Sequence, residues 1–180
     1  MSRDQTVNRN AAQNVSEDQV YITRTFSAPR ELVYEALTQK EHLLQWHAPN
    51  NCTIQYEEFE ARPGGSFLSC IHTPNGHQCW CKGTFHELEP PKRLVYSMSV
   101  ADELGRDRDP VSAGMDPSWP KETIVTITLE ECDGRTILTL HQTVSFELAK
   151  RTGAYPSWLQ MFDRLAMMLQ KSAYSLAVSH

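Results

Sequence analysis

A cluster of potential metal ligands lies in the middle of the chain and consists of Cys70, His72, His77, Cys79 and Cys81. Thiolates and imidazoles are the usual ligands of structural zinc. Whether these side chains can share one ion depends on the turn of the β-hairpin that joins them. If residues 75–76 alone form the turn, Cys70 faces Cys81 and His72 faces Cys79. That register would give a Cys₃His cluster on one face of the sheet.

The turn sequence Pro74-Asn75-Gly76 favours a three-residue loop instead. Proline suits position i+1 of a type I turn, and Gly76 can adopt the left-handed conformation of the bulge that follows. Proline is also a poor residue for a paired strand position. The sequence therefore predicts the register in which Phe67 pairs with Gly83. A shift by one residue moves every side chain to the opposite face.

This register sorts the hairpin residues into two faces. The first face is largely apolar and contains Phe67, Ser69, Ile71, Cys79, Cys81, Gly83 and Phe85. The second face is more polar and contains Leu68, Cys70, His72, Gln78, Trp80, Lys82, Thr84 and His86. Because the cysteines are divided between the two faces, we expect no metal, and the sequence indicates no other cofactor. Trp80 with Leu68 on the second face could mark the surface of a homodimer or of another partner.

A carboxylate suited to acid–base chemistry follows the hairpin. His86 and Glu87 are neighbours on a strand, so their side chains point to opposite faces and cannot both enter one cavity. Glu87 would share the inward face with Phe85, where burial would raise its pKa. The alternative is a position at the rim, where Glu87 pairs with Arg62 or Lys82.

The elements that must position these residues follow from hydrophobic periodicity. Strands are predicted at residues 20–26, 54–60, 67–73, 77–86, 94–100, 123–129 and 136–142. Two short helices follow the first strand, and an amphipathic helix of ~33 Å is predicted over residues 157–178. Residues 101–122, rich in Asp and Pro, form a long loop. Such a loop is either a functional lid or a plain mobile connection.

Several motifs in this order resemble those of a known family. They are "APRELVYEAL" at residues 28–37, Trp46, "RPGGSF" at 62–67, "GTFHELEPPKRLVY" at 83–96 and "SWLQMFDRLAMML" at 157–169. From Tyr21 to Leu169 the chain resembles the START-like helix-grip (SRPBCC) proteins related to the activator of the heat-shock-protein-90 ATPase. The resemblance implies an α+β fold. In this fold a curved antiparallel sheet wraps around a long C-terminal helix, with two short helices and an internal apolar cavity.

The resemblance constrains function less than fold, because members include co-chaperones, ligand carriers, cyclases and resistance proteins. An enclosed apolar cavity suits a small hydrophobic or aromatic ligand. Ser69, Glu87 and Tyr96 are the polar groups expected to orient it. The full set of expected ligand-binding residues is Trp46, Phe67, Ser69, Ile71, Cys81, Phe85, Glu87, Tyr96, Met98, Trp158 and Phe162.

Two other functions stay open beside ligand binding without catalysis, which the sequence favours. One is a cyclase- or hydrolase-type enzyme that uses the same cavity with Glu87 as its carboxylate. The other is a co-chaperone-like interaction module with a chaperone partner. The sequence shows no docking motif for such a partner, and the family relationship alone suggests it.

Composition limits the partners and the cellular compartment. With 17 basic and 22 acidic residues, the formal charge of −5 argues against binding to nucleic acid or to an anionic membrane. No apolar run approaches the ~20 residues of a membrane span. Five cysteines without scaffold spacing favour free thiols in a reducing, cytoplasmic environment. Residues 1–19 are polar and predict a disordered tail, followed by a single domain over residues 20–178.

Overall fold

Eleven helices and strands make up the part of the chain that the computed structural model describes, residues 18–178. In chain order they are β1 (Gln19–Phe26), α1 (Arg30–Thr38), α2 (Lys40–Trp46), β2 (Thr53–Phe59), β3 (Ser66–His72), β4 (Gln78–Glu89), β5 (Arg93–Val100), β6 (Glu122–Cys132), β7 (Arg135–Ser145), α3 (Phe146–Thr152) and α4 (Ala154–Val178). The predicted tail, residues 1–19, lies outside the described residues except for its last two, and Gln19 already belongs to β1.

The seven strands form one antiparallel sheet in the order β1-β7-β6-β5-β4-β3-β2. Alternate residues of the central strands point to the core, and Val125, Ile127, Leu138 and Leu140 are almost completely buried. Leu165 of α4 is fully buried in the same cluster. The hydrophobic alternation of the strands and the helical spacing of α4 therefore meet in one core, and the predicted helix-grip fold is confirmed.

The hairpin of β3 and β4 has the predicted register. Phe67 pairs with Gly83 and Ile71 pairs with Cys79. Gly76 has a φ of 83°, the left-handed conformation that the three-residue loop requires. Gly83 is needed for a second reason, because a Cβ there would lie 2.5 Å from the ring of Phe67. Among residues 18–172 no group of three or more His, Cys, Asp or Glu is placed to hold a metal ion.

Helix α3 was not predicted from the sequence. The Ser145 hydroxyl caps it by accepting a hydrogen bond from the Leu148 amide, and Gly153 ends it with a φ of 85°. Its seven residues present only two buried side chains, Leu148 and Ala149, which is too short a pattern to show helical periodicity. Helix α4 consequently starts at Ala154, three residues before the predicted position.

The loop between β5 and β6 covers the outer face of the hairpin. Lys82 of β4 donates to the Gly105 carbonyl at 3.1 Å and pairs with Asp107 at 2.9 Å. Leu68, which contacts this loop, is only 5% exposed, and Trp80 is half-buried. The expectation of an exposed Trp80–Leu68 patch is therefore wrong, because the loop occupies that surface. Whether this chain forms a homodimer stays a prediction without that support.

The far end of the same loop is tied to the helical side of the molecule. Asp116 pairs with Arg151 of α3 at 3.0 Å, and Trp119 packs against the edge of the core. None of the helices within residues 18–178 is both long enough and apolar enough to cross a membrane.

Candidate functional site

A small apolar cavity lies between the two short helices and the inner face of the sheet. Its helical wall is formed by Leu37, Leu43, Trp46 and His47. Its sheet wall is formed by Tyr56, Phe59, Phe67, Phe85, Leu94, Tyr96 and Ile127. The cavity volume is about 20 Å³, on a scale where one water needs about 10–15 Å³. As it stands the cavity has room for a water molecule, and a larger ligand requires its walls to move.

Aromatic rings make up most of the sheet wall. Phe67 lies 5.7 Å from Phe85 and 5.9 Å from Tyr96, measured between ring centroids. Phe59 meets Phe85 edge-on at 5.7 Å. Such tilted and edge-to-face contacts stabilise the wall.

The structure brings four of the predicted site residues to the cavity: Trp46, Phe67, Phe85 and Tyr96. Two more pack behind it. Phe162 stacks on Trp46 at 6.2 Å, and Trp158 stacks on Phe162 at 5.8 Å. These two α4 residues support the helical wall without lining the cavity, so the inward phase of α4 is confirmed while their contact with a ligand is untested.

Four other predicted residues lie on the inner face but do not line the cavity. The Ser69 hydroxyl donates to the Cys81 carbonyl on the neighbouring strand at 3.3 Å, so it is already occupied. Ile71, Cys81 and Met98 are half-buried at the edge of the core. They lie further along the sheet than the cavity, towards the β3–β4 turn.

The predicted position of Glu87 in the cavity is wrong. A β-bulge between Phe85 and Glu87 adds one residue to β4, so Phe85 pairs with Tyr96 while Glu87 pairs with Val95. The extra residue reverses the alternation of faces. Glu87 is exposed and forms a salt bridge to Arg93 at 2.8 Å, not to either of the partners expected at the rim.

Two of the polar residues that line the cavity, His47 and Tyr56, were not predicted from the sequence, whereas Tyr96 was. Nδ1 of His47 lies 2.6 Å from the hydroxyl of Tyr56. Tyr96 lines the cavity too, and its hydroxyl makes no hydrogen bond to any other residue in the described part of the chain. Tyr56 shares the inward parity of Ile54 on β2, which was the one available signal. For His47 the only signal was its place directly after Trp46.

Burial keeps all of these groups neutral. It lowers the pKa of His47 from 6.5 to about 4 and raises the pKa values of the Tyr56 and Tyr96 hydroxyls above their ordinary range. It also raises the pKa of the nearby Cys81 thiol to about 12. At neutral pH the cavity therefore contains hydrogen-bonding groups but no ionised one.

The neutral His47 makes stability depend on pH. In the unfolded chain the pKa of His47 returns to its ordinary value near 6.5. Between this pH and about 4, the unfolded state therefore binds a proton at His47 while the folded state does not, and this favours unfolding. The contribution is fully present above pH ~6.5 and decreases as the pH falls towards ~4, by about 2–3 kcal/mol in total. Urea denaturation across this range should show a shallower decline in the variant His47→Asn.

The matched control for this measurement is His141→Asn. His141 is half-buried, its pKa is also lowered by burial, and its Nε2 contacts Gln19 at 2.6 Å on the outer side of the sheet. We expect this variant to keep most of the acid-induced loss. An unchanged pH dependence in His47→Asn would contradict the assignment of the lowered pKa to His47.

Arg164 of α4 fixes the segment that carries His47. Its guanidinium donates to the carbonyls of Ala48, Pro49 and Cys52 at 2.6, 3.1 and 3.3 Å, and to that of Gln45 at 3.0 Å. These carbonyls lie at and beyond the C-terminus of α2, where a cation is also favoured by the helix dipole. One side chain thus holds both the end of α2 and the connection to β2.

Replacing Arg164 by alanine is expected to lower the free energy of unfolding by about 2–3 kcal/mol, because several carbonyls lose a charged donor. Arg164→Lys should recover less than half, because an ammonium cannot reproduce the planar fork of donors. Lys171→Ala, an exposed change on the same helix, should stay within about 0.5 kcal/mol of the wild type. Full recovery by lysine in chemical denaturation would show that charge alone matters here.

Comparison with known proteins places this architecture in a family. The family described as "Activator of Hsp90 ATPase homolog 1-like protein" matches residues 27–170. The chain belongs to this family. The match runs from the segment before α1 into α4, so it includes every element that lines the cavity. No curated protein is detectably similar to the chain.

Solved structures with a similar fold come from several bacteria. A protein from Chromobacterium violaceum is 23% identical with a TM-score of 0.70, covering 84% of this chain and 96% of its own. One from Staphylococcus epidermidis is 24% identical with a TM-score of 0.71, covering 86% and 91%. The AHSA1 protein of Silicibacter pomeroyi is 19% identical with a TM-score of 0.64, covering 90% and 99%. At these identities the likeness establishes the fold of this family member and nothing about its ligand.

Proposed function

We propose that this protein binds a small aromatic or hydrophobic molecule in the cavity between α2 and the sheet. The observation that supports it best is an apolar, aromatic-walled space that also holds hydrogen-bonding groups. Such a combination is typical of ligand pockets, where apolar walls supply affinity and few polar groups fix orientation.

The small volume requires that the walls separate when a ligand enters. The sheet wall includes β2, which is an edge strand and carries a bulge between Tyr56 and Glu58. A bulged edge strand is paired on one side only, so its displacement breaks fewer hydrogen bonds than that of a central strand. Tyr56 and Phe59 would move with it and enlarge the cavity.

Titration with indole tests the proposal, because indole is small, neutral and aromatic. We expect saturable binding with a dissociation constant on the order of 0.1–1 mM, which is usual for a ligand of so few atoms. The variant Leu37→Phe places a larger side chain in the cavity and should abolish binding. Leu44→Phe, on the exposed face of α2, should bind as the wild type does.

Overpacking at Leu37 is expected to cost about 1–3 kcal/mol, so thermal denaturation must show that the variant is folded. Equal indole affinity in folded Leu37→Phe and in the wild type would contradict the cavity as the binding site. Lack of any saturable binding by the wild type would contradict the proposed function itself.

Glu87, the carboxylate on which the enzymatic alternative depends, points away from the cavity and pairs with Arg93. A chaperone partner, which the family description suggests, stays a prediction for this chain. A pull-down with purified Hsp90 would test it, and retention of the protein at near-stoichiometric amounts would support it.

A further inference from the structure

We infer that the cavity selects an uncharged ligand carrying one acceptor oxygen, such as a phenol or a ketone, and that the Tyr96 hydroxyl donates to this oxygen. The inference rests on the proposed function and adds the chemical class of the ligand. It excludes carboxylates, including fatty acids and aromatic acids, as occupants of the same space.

The walls of the cavity carry no formal charge. No Asp, Glu, Lys or Arg is among the described residues that line the cavity. The ammonium of Lys40 comes near the site but donates to the backbone carbonyl of Tyr56 at 2.9 Å, outside the lining. Arg164 is likewise occupied by carbonyls. A buried anion would thus have no counter-ion, and burying an unpaired charge is far more costly than burying a neutral polar group.

The polar groups of the cavity differ in whether they already have a hydrogen-bond partner. The hydroxyl of Tyr56 and Nδ1 of His47 already satisfy each other at 2.6 Å. Tyr96 lines the cavity, and no hydrogen bond joins its hydroxyl to another described residue, so this O–H is free to donate. A ligand oxygen beside Tyr96 would accept this hydrogen bond. The rest of the lining is apolar or aromatic, so a ligand with a single polar atom fits best.

The raised pKa values of both tyrosines and the lowered pKa of His47 agree with this reading, because none of the three groups then becomes a charge partner at neutral pH. The hydroxyl of Tyr96 consequently stays a donor over the whole physiological range.

Calorimetric titration with 2-naphthol and 2-naphthoate compares two probes of nearly equal size. At about pH 7 the naphthol is neutral and the naphthoate is ionised, as expected for a phenol and a carboxylic acid. We expect 2-naphthol to bind at least about ten-fold more tightly than 2-naphthoate. Tyr96→Phe should weaken 2-naphthol binding about five- to ten-fold, the value of one hydrogen bond. Tyr21→Phe, on the exposed outer side of the sheet, is the matched control and should have no effect.

Each contrary outcome has a separate meaning. If 2-naphthoate binds as tightly as 2-naphthol, selection of an uncharged ligand is wrong while the ligand site stands. If Tyr96→Phe leaves 2-naphthol affinity unchanged, the role of Tyr96 as donor is wrong. If neither 2-naphthol nor indole binds, the proposed function fails, and the inference fails with it.

Discussion

Replacing Trp46 by alanine is expected to lower the free energy of unfolding by about 4–5 kcal/mol. Trp46 is 1% exposed and stacks on Phe162. Its indole N–H also donates to the Ala36 carbonyl at 2.9 Å, which ties the end of α2 to α1. The substitution removes a large apolar side chain, leaves a cavity beside the existing one, and leaves a buried carbonyl without its donor.

Urea denaturation of the wild type, Trp46→Ala and Leu44→Ala measures this effect. Leu44 lies on the same helix and is 42% exposed, so its truncation should change stability by no more than about 0.5 kcal/mol. A loss below about 1.5 kcal/mol for Trp46→Ala would mean that α2 does not pack as described.

Replacing Trp158 by alanine is expected to cost about 3–5 kcal/mol, as for other buried aromatic residues. Trp158 is 4% exposed, and its indole N–H donates to Oε1 of the buried Gln142 at 2.9 Å. The amide of Gln142 in turn donates to the Thr123 hydroxyl at 3.1 Å. The indole therefore contributes both apolar packing and the first hydrogen bond of a buried chain that runs through Gln142 to Thr123. A loss below about 1 kcal/mol in equilibrium denaturation would contradict the phase of α4.

A double-mutant cycle separates the two contributions of Trp158. Trp158→Phe keeps the stacking on Phe162 but leaves the Gln142 oxygen without its donor. We therefore expect the free energy of unfolding to decrease by about 1.5–2.5 kcal/mol. Combining it with Gln142→Leu removes both partners, and the pair should be less destabilised than the sum of the single variants. Strict additivity would show that the hydrogen bond contributes no coupling.

The sequence was sufficient for those parts of the fold that local chemistry determines. The register of β3 and β4 agrees with Pro74 and Gly76, whose backbone preferences favour the three-residue loop over the two-residue one. The inward positions of Leu94, Tyr96 and Met98 follow from simple alternation on β5. The burial of Trp158 and Phe162 follows from helical spacing.

The bulge in β4 could not be predicted from its own residues, because neither His86 nor Glu87 has an unusual backbone preference. The residues just before the bulge are bound by the turn at residues 62–65, which is distant from them in sequence. The amide of Gly64 donates to the Phe85 carbonyl at 2.7 Å, and the Phe85 amide donates to the Gly65 carbonyl at 2.8 Å. This tertiary pairing holds Phe85 in place just before the alternation breaks, and Glu87 turns outward as a result.

In the candidate site too, some features follow from local sequence and others depend on tertiary contacts. Aromatic residues at regular strand positions, such as Phe67 and Phe85, were predictable as inward-facing. The contact between His47 and Tyr56 depends on how the segment after α2 is held by Arg164, and no local pattern encodes that. Predictions of polar site residues failed where they relied on alternation across a bulge, as for Glu87. Alternation also does not reveal that the Ser69 hydroxyl donates to a carbonyl of the neighbouring strand, so its contact with a ligand stays a prediction.

The most direct test of the central claim is a nuclear Overhauser measurement on protein with labelled leucine methyl groups in the presence of 2-naphthol. Leu37, Leu43 and Leu94 line the cavity, whereas Leu44 and Leu104 are exposed elsewhere. We expect contacts from the naphthol ring protons to the methyl groups of Leu37, Leu43 and Leu94. Contacts confined to Leu44 or Leu104, or a complete lack of contacts to the cavity leucines at saturating probe, would contradict it.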